Sequence, residues 1–443
     1  MKSALTTALS FFICTAHAEE PAKFDESLTK INRIEQSGEV PLVFDQTSKT
    51  DNIIYLMAAG AARNDGQHVK WHDMSNYPKH AWMLDFDDLQ DWYEWEIYLG
   101  EAADYHIDAL IYNRKPQESF TISVVETGET LAFTKEERGW DKFDAGIISL
   151  PKGKSTLRML RTSAHDNVNF KSLELVRMDD RPAMLQRLKD YKTDTTWMSK
   201  SGYGLMFQAG AWGYPRPQNP PLPKDEVPQK SLEEYANDFD LPAFVKMVKD
   251  TGASYIIWSI TWCEYLMPAP IETVDKYMGH SNNTSTRDLI GEMADAFDKE
   301  GIAFMLYYHR GEVHQVPWFQ AEGYPHEEFH KRGTGDRSVF FDSWIDIITS
   351  VGERYGDKLH GWFIDGGFVY YPAPYEAMGK AMRAGNPNRI TSWNSWYISR
   401  YTDFQDVSFG EGSQGGLAPG SAGPNSDGIY RLSLIHISSP RDA

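Results

Sequence analysis

Beyond residue 200 the chain repeats one pattern: a short apolar run, a turn, then an amphipathic segment of helical period. Such a repeat suits βαβ units around a parallel sheet, where each run is buried on both faces and each helix has one apolar stripe. Tyr203–Trp212, Ala253–Trp262, Ile302–His309, the run from Leu359 to Ile364, Arg389–Asn394 and Asp406–Gly410 read as strands. Leu241–Asp250, Ser285–Glu300, Phe341–Tyr355 and Tyr375–Ala384 read as helices. Ser285 or Thr286 is expected to open the second helix, whose Leu289, Met293, Ala296 and Phe297 share a face. The expected fold is a (β/α)8-type TIM barrel. Six strands are read where closure needs eight, so the barrel is expected to be truncated at its C-terminal end.

The sharpest point in the repeat is Leu359-His360-Gly361-Trp362-Phe363-Ile364-Asp365-Gly366-Gly367-Phe368. A buried strand there runs straight into a carboxylate and two glycines. In a barrel, Asp365 sits at the C-terminal mouth, where catalytic side chains are found. The glycines leave room beside it for a ligand. The plainer alternative is an aspartate capping the following turn or helix.

The first half of the chain reads differently. Trp92–Leu99, His106–Tyr112, Phe120–Val125 and Ser172–Val176 alternate apolar and polar residues, with turn signals at Thr127-Gly128 and Pro151-Lys152-Gly153-Lys154. No long helix interrupts them, so residues 39–178 are expected to form an all-β sandwich. Residues 1–18 read as a signal peptide: Lys2 precedes the mostly apolar Ala4–Ala16, and Ala16-His17-Ala18 is a small-x-small cleavage site. That run is too short to span a bilayer, and no later segment is long and apolar enough. Residues 19–38 are expected to be a linker, 179–200 a connecting helix and 201–428 the incomplete barrel. Cys263 would be the only cysteine of the mature chain, so no intrachain disulfide can form there. Export without disulfides fits a bacterial periplasmic or secreted enzyme. The formal net charge of -19 argues against nucleic acid or anionic membrane partners and for a neutral or cationic ligand.

Collected in order, the strand ends supply Gln208, Trp212, Trp258, Trp262, Glu264, His309, Asp365, Asn394 and Glu411. Tryptophan faces suit sugar rings, and the amides of Gln208 and Asn394 can read hydroxyls as donor and acceptor. Glycosidic cleavage needs two carboxylates about the scissile bond. Asp365 and Glu411 are separated by one further βα unit and can face each other, with Asp403 and Asp406 as rivals for the second role. The partner expected is an oligo- or polysaccharide. His309 and His314 are not at a metal-binding spacing, and no phosphate-binding loop or nucleophile elbow is present, so neither a metal nor another cofactor is expected.

Two resemblances sharpen this reading. Trp95 in its strand, the Asn113 turn, Trp140-Asp141-Lys142-Phe143, the Leu150-Pro151-Lys152-Gly153 turn and Ser172-Leu173-Glu174-Leu175 resemble the carbohydrate-binding jelly-roll modules attached to glycoside hydrolases. That implies a sugar-binding sandwich; the alternative is a structural module with its tryptophans in the core. The run from Asp288-Leu289-Ile290-Gly291-Glu292-Met293 through Lys299-Glu300-Gly301-Ile302-Ala303-Phe304-Met305-Leu306-Tyr307-Tyr308 is similar to a helix and strand of family 29 glycoside hydrolases, the α-L-fucosidases. Thr251-Gly252-Ala253-Ser254-Tyr255 resembles the approach to that family's preceding strand, and Gly361-Trp362-Phe363-Ile364-Asp365-Gly366 its nucleophile strand. The resemblance covers Tyr203 to Gly412. It implies a retaining glycosidase acting through a glycosyl-enzyme ester, with Asp365 as nucleophile and Glu411 in the position of the acid/base.

The chain also departs from that family. Gln208-Ala209-Gly210 stands near the end of the first strand, where fucosidases usually carry His-Trp-Gly. Ile260-Thr261-Trp262-Cys263-Glu264 stands where they carry a sugar-binding His-His pair. Either the sugar is a relative of L-fucose or hydrolysis has been lost, leaving a carbohydrate-binding protein. A lyase would instead want a Tyr/His or Lys base. At the C-terminus, Arg431-Leu432-Ser433-Leu434-Ile435-His436-Ile437-Ser438-Ser439-Pro440 resembles translated sequencing-adaptor sequence, so residues 429–443 are expected to be non-native.

Overall fold

The structure, a computed structural model, describes residues 28–29, 53–58, 61–63, 89, 91–163, 168–208, 231–261, 266–309, 338–365, 371, 373–394, 401–410 and 430–433. The N-terminal half holds strands β1 (Leu28–Thr29), β2 (Ile53–Met57), β3 (Ala62–Arg63), β4 (Trp92–Leu99), β5 (Ala103–Asn113), β6 (Glu118–Val124), β7 (Thr130–Lys135), β8 (Gly139–Leu150), β9 (Gly153–Arg161) and β10 (Val168–Arg177). They form two antiparallel sheets, one in the order β1-β4-β9-β6-β7 with β3 beside β4, the other β2-β10-β5-β8. Strand period decides what lies between the sheets. Tyr93, Trp95, Ile97 and Leu99 of β4 are buried, while the residues between them are partly exposed. Trp95 meets Phe170 of the opposite sheet at 5.7 Å between ring centroids, and Phe133 meets Phe143 at 5.8 Å. Trp95 is therefore a core residue. β1 falls within the stretch expected to be linker, where it pairs with the edge of β4.

β10 carries a register shift between Phe170 and Ser172, the extra residue being Lys171. Phe170 points between the sheets, and Ser172 and Glu174 point to the opposite face. That outer face is also buried, because the C-terminal half covers it: Tyr371 reaches both side chains.

Helices α1 (Arg181–Tyr191) and α2 (Thr196–Lys200) join the halves. Then β11 (Gly204–Phe207), α3 (Leu232–Asp238), α4 (Leu241–Thr251), β12 (Tyr255–Thr261), α5 (Glu272–Met278), α6 (Leu289–Lys299), β13 (Ala303–Tyr308), α7 (Ser338–Tyr355), β14 (Gly361–Ile364), α8 (Tyr375–Met382), β15 (Ile390–Asn394), β16 (Val407–Gly410) and β17 (Tyr430–Ser433) follow. The strands make one seven-stranded parallel sheet in unbroken sequence order. Unbroken order is that of a barrel wall; a doubly wound sheet reverses at a switch point. β17 lies in the stretch expected to be non-native and pairs in parallel with β16.

Two helix starts correct the sequence reading. α6 is capped by Asp288, whose side chain accepts from Gly291 N at 2.9 Å, and not by Ser285 or Thr286. Ser285 Oγ turns to Arg287 O, and Thr286 Oγ is taken by Glu233. α3 was not expected; Ser231 and Glu234 close a capping box that starts it.

The parallel sheet has two faces. Tyr255, Ile257, Met305, Tyr307, Phe363, Ile390 and Val407 pack together with Met198 of α2, and Trp197 and Met206 close on them. Trp258, Leu306, Tyr308, Trp362 and Trp393 belong to the other layer, under the helices. The inner layer is tight at its base. A Cβ on Gly361 would lie 2.4 Å from Met305 Cε, and one on Gly204 2.2 Å from the Tyr255 ring. Arg389, fully buried, donates to the carbonyls of Gly352, Gly356, Leu359, Met382 and Ala384. It so ties the ends of α7 and α8 to the start of β14.

Candidate active site

β14 is short and buried throughout, and Asp365 is the next residue. Its backbone N–H continues the ladder to Tyr308 O at 2.9 Å, so the carboxylate stands on the sheet rather than on a free loop. Phe363 faces the inner layer, and a period of two puts Asp365 on that same side. Both oxygens are engaged. Asn394 Nδ2, at the end of β15, donates to Oδ1 at 2.8 Å, and the Tyr307 hydroxyl of β13 donates to Oδ2. Asp365 is 6 % exposed. Hydrogen bonds from an amide and a phenol, one on either side, fix the plane of the carboxylate. The capping alternative for Asp365 is not what these partners describe, since they come from two neighbouring strands.

Period two also sorts the other expected residues. Met206 packs on the inner layer and Phe207 on the outer, so Gln208, half-buried, turns inward at the end of β11. His309 follows Met305 and Tyr307 on the inner side; it is buried, with its ring 6.4 Å from that of Tyr307. Trp258 is a correction. Its neighbours Ile257 and Ser259 take the inner side, and its ring packs among Phe207, Phe239 and Phe244 at 6.1, 5.5 and 5.2 Å. It is core beneath α3 and α4, not part of a sugar platform. Trp212, Trp262, Glu264 and Glu411 lie outside the described residues. Tyr307 was missed as a site residue, though its position two residues before His309 on the same strand face was a usable signal.

The rivals for the second carboxylate have other work. Asp406 is fully buried and saturated: Arg383 Nη2 reaches both oxygens at 2.7 and 2.8 Å, Thr391 donates N–H and hydroxyl, and Thr193 donates its N–H. Asp403 sits against the N-terminal half. Burial chiefly, with the Asp403 and Asp144 charges adding to it, pushes Asp108 above the usual carboxylate range against the pull of Lys142 and His106. Among the described residues no cluster of three His, Cys, Asp or Glu side chains is placed to hold a metal ion. No helix of the described residues is long and apolar enough to cross a membrane.

Residues 228–408 match the family model for alpha-L-fucosidase. That segment belongs to the alpha-L-fucosidase family. The α-L-fucosidase segment is a glycoside hydrolase segment, and it holds Tyr307, His309, Asp365 and Asn394; Gln208 precedes it and Glu411 follows it. No curated protein matches the chain in sequence. Among solved structures, an endo-fucoidan hydrolase of glycoside hydrolase family 107 overlaps 48% of this chain and 36% of its own, at 15% identity and a TM-score of 0.36. An α-L-fucosidase from Lactobacillus casei, solved with its α-L-fucose product, overlaps 51% of this chain and 75% of its own, at 18% identity and a TM-score of 0.35. The chain thus spans little more than a third of the length of the first of these.

Proposed function

We infer that the protein is an exported, retaining glycoside hydrolase that removes α-L-fucose or a related L-sugar from a polysaccharide or glycan. The observation that carries this is Asp365 inside the α-L-fucosidase segment, on the end of a parallel strand, with a described donor at each oxygen. Retention requires a carboxylate fixed beside the anomeric carbon. In this reading an Asp365 oxygen attacks that carbon while the glycosidic bond breaks. The departing oxygen takes a proton from a carboxylic acid, the role assigned to Glu411. The resulting ester is then opened by water, which gives its proton back to the same acid/base and restores the Asp365 carboxylate. Tyr307 and Asn394 hold the attacking carboxylate in one plane through both steps, which reduces the reorganisation the reaction demands. Gln208 and His309 flank the site as readers of sugar hydroxyls.

Export rests on Lys2, the apolar run behind it and Ala16-His17-Ala18. The parallel sheet with its helices is read as the wall of a (β/α) barrel, and the two N-terminal sheets as a jelly-roll sandwich akin to a carbohydrate-binding module. One outer face of that sandwich is turned to the barrel, so sugar contact would fall to its other surfaces.

A panel of aryl glycosides including α-L-fucoside and α-L-galactoside tests the reading. Turnover of one of them, abolished in Asp365→Asn, is the expected result. A second reading, a carbohydrate-binding protein without turnover, is favoured by Gln208 standing where family members usually carry histidine. Sugar binding by a folded protein that cleaves nothing on the panel would select it.

A further inference from the structure

We propose that the N-terminal two-sheet half is part of the catalytic apparatus: its Ser172 and Glu174 position, through Tyr371, the chain segment that leaves Asp365. The proposal rests on Asp365 being the reacting carboxylate. Tyr371 lies six positions after Asp365, and α8 begins at Tyr375. Tyr371 is buried, and its hydroxyl is held twice by β10: it lies 2.6 Å from Ser172 Oγ and donates to Glu174 Oε1 at 2.7 Å. Its ring meets Tyr55 of β2 edge-on at 5.5 Å, and the Lys171 ammonium stands 5.5 Å from its centroid.

Glu174 is itself a poor residue to bury unless satisfied. Lys142 of β8 reaches its other oxygen at 2.5 Å, so the carboxylate is completed by one cation from its own sheet and one phenol from the catalytic half. A residue beyond the end of β15 leans on the same place. β15 ends at Asn394, the donor to Asp365, and the chain returns at Tyr401, whose ring lies 5.5 Å from Tyr371 and 6.0 Å from Lys171 Nζ. Tyr371 and Tyr401, one beyond each of the strands that carry Asp365 and Asn394, therefore rest on one buried sheet face. Removing the phenol leaves Glu174 one hydrogen bond short and the segment without its anchor. Tyr371 and Glu174 are positioning residues, since neither touches Asp365.

The test uses the full chain, with Tyr371→Phe and Glu174→Gln as variants and Glu94→Gln, on the opposite sheet, as control. Hydrogen exchange of peptides covering residues 366–374, melting temperature, and kcat and KM on the glycoside that the wild type cleaves are measured together. The expected result is faster exchange confined to that segment and kcat lower by about tenfold in both variants, the loss of one charge-assisted hydrogen bond. KM changes little; the melting temperature falls, most in Glu174→Gln, which takes the buried counter-charge from Lys142, so kcat is taken per folded molecule, and Glu94→Gln behaves as wild type. Unchanged exchange, or unchanged kcat per folded molecule with a lowered melting temperature, overturns the proposal. If the wild type cleaves no glycoside, the reading of Asp365 fails, and exchange alone decides whether the N-terminal half holds the segment: faster exchange supports it and unchanged exchange overturns it.

Discussion

Replacing Lys171 by methionine is expected to stabilise the protein, and the gain is expected to depend on pH. Lys171 is the extra residue of the β10 irregularity, 2 % exposed, with the rings of Tyr371 and Tyr401 at 5.5 and 6.0 Å and no ion pair among the described residues. Burial lowers its ammonium from 10.5 to about 7. Between about pH 7 and 10.5 the unfolded chain binds this proton and the native state does not, so stability rises with pH through that window. Below it both states are protonated and the full cost of the buried charge is present. The shift corresponds to about 5 kcal/mol. That figure is burial alone; each tyrosine face returns about 1 kcal/mol to the ammonium, which leaves a net cost on the order of 3 kcal/mol and narrows the titration window from its lower end. Methionine has a similar length, packs on the same rings and carries no charge. Denaturant unfolding of wild type and Lys171→Met at pH 6, 8 and 10 measures the difference. A gain of about 2–3 kcal/mol at pH 6 that shrinks towards zero by pH 10 is predicted. A gain independent of pH would mean that packing rather than charge is responsible. A loss at pH 6 would refute the reasoning.

Other outcomes follow from the site. Tyr307→Phe removes one donor from the Asp365 carboxylate and should lower kcat/KM by roughly 10- to 100-fold without unfolding the protein, as steady-state kinetics and circular dichroism would show. Trp258→Phe should leave KM and kcat near wild type while lowering stability by about 1–2 kcal/mol, because the ring lies under α3 and α4; a large rise in KM would return Trp258 to the site.

Much of the parallel half is legible in the sequence because the alternation of buried run and amphipathic helix is strictly local. The strand ends are less so: the expected Tyr203–Trp212 narrows to Gly204–Phe207 among the described residues, since apolar residues continue past the last ladder bond. Asp288 was passed over as a cap because Ser285 and Thr286 lie earlier and have the same chemistry; tertiary partners on both decide the matter. At the site, Asp365 was legible as the carboxylate at the end of a run. Trp258 was misread, and Tyr307 overlooked, for one reason: gathering residues by their nearness to a strand end ignores the side of the pleat they occupy. The role of Glu174 could not be read at all, because its partner Tyr371 is 197 residues away and no periodicity links them.

The most direct test of the account is to trap the intermediate. A slow, activated 2-fluoro-L-fucoside is incubated with the protein, and the labelled peptide is sequenced by mass spectrometry. The account predicts a covalent sugar on Asp365, with no label and no turnover in Asp365→Asn. Label on a different carboxylate, or full activity in that variant, would contradict it.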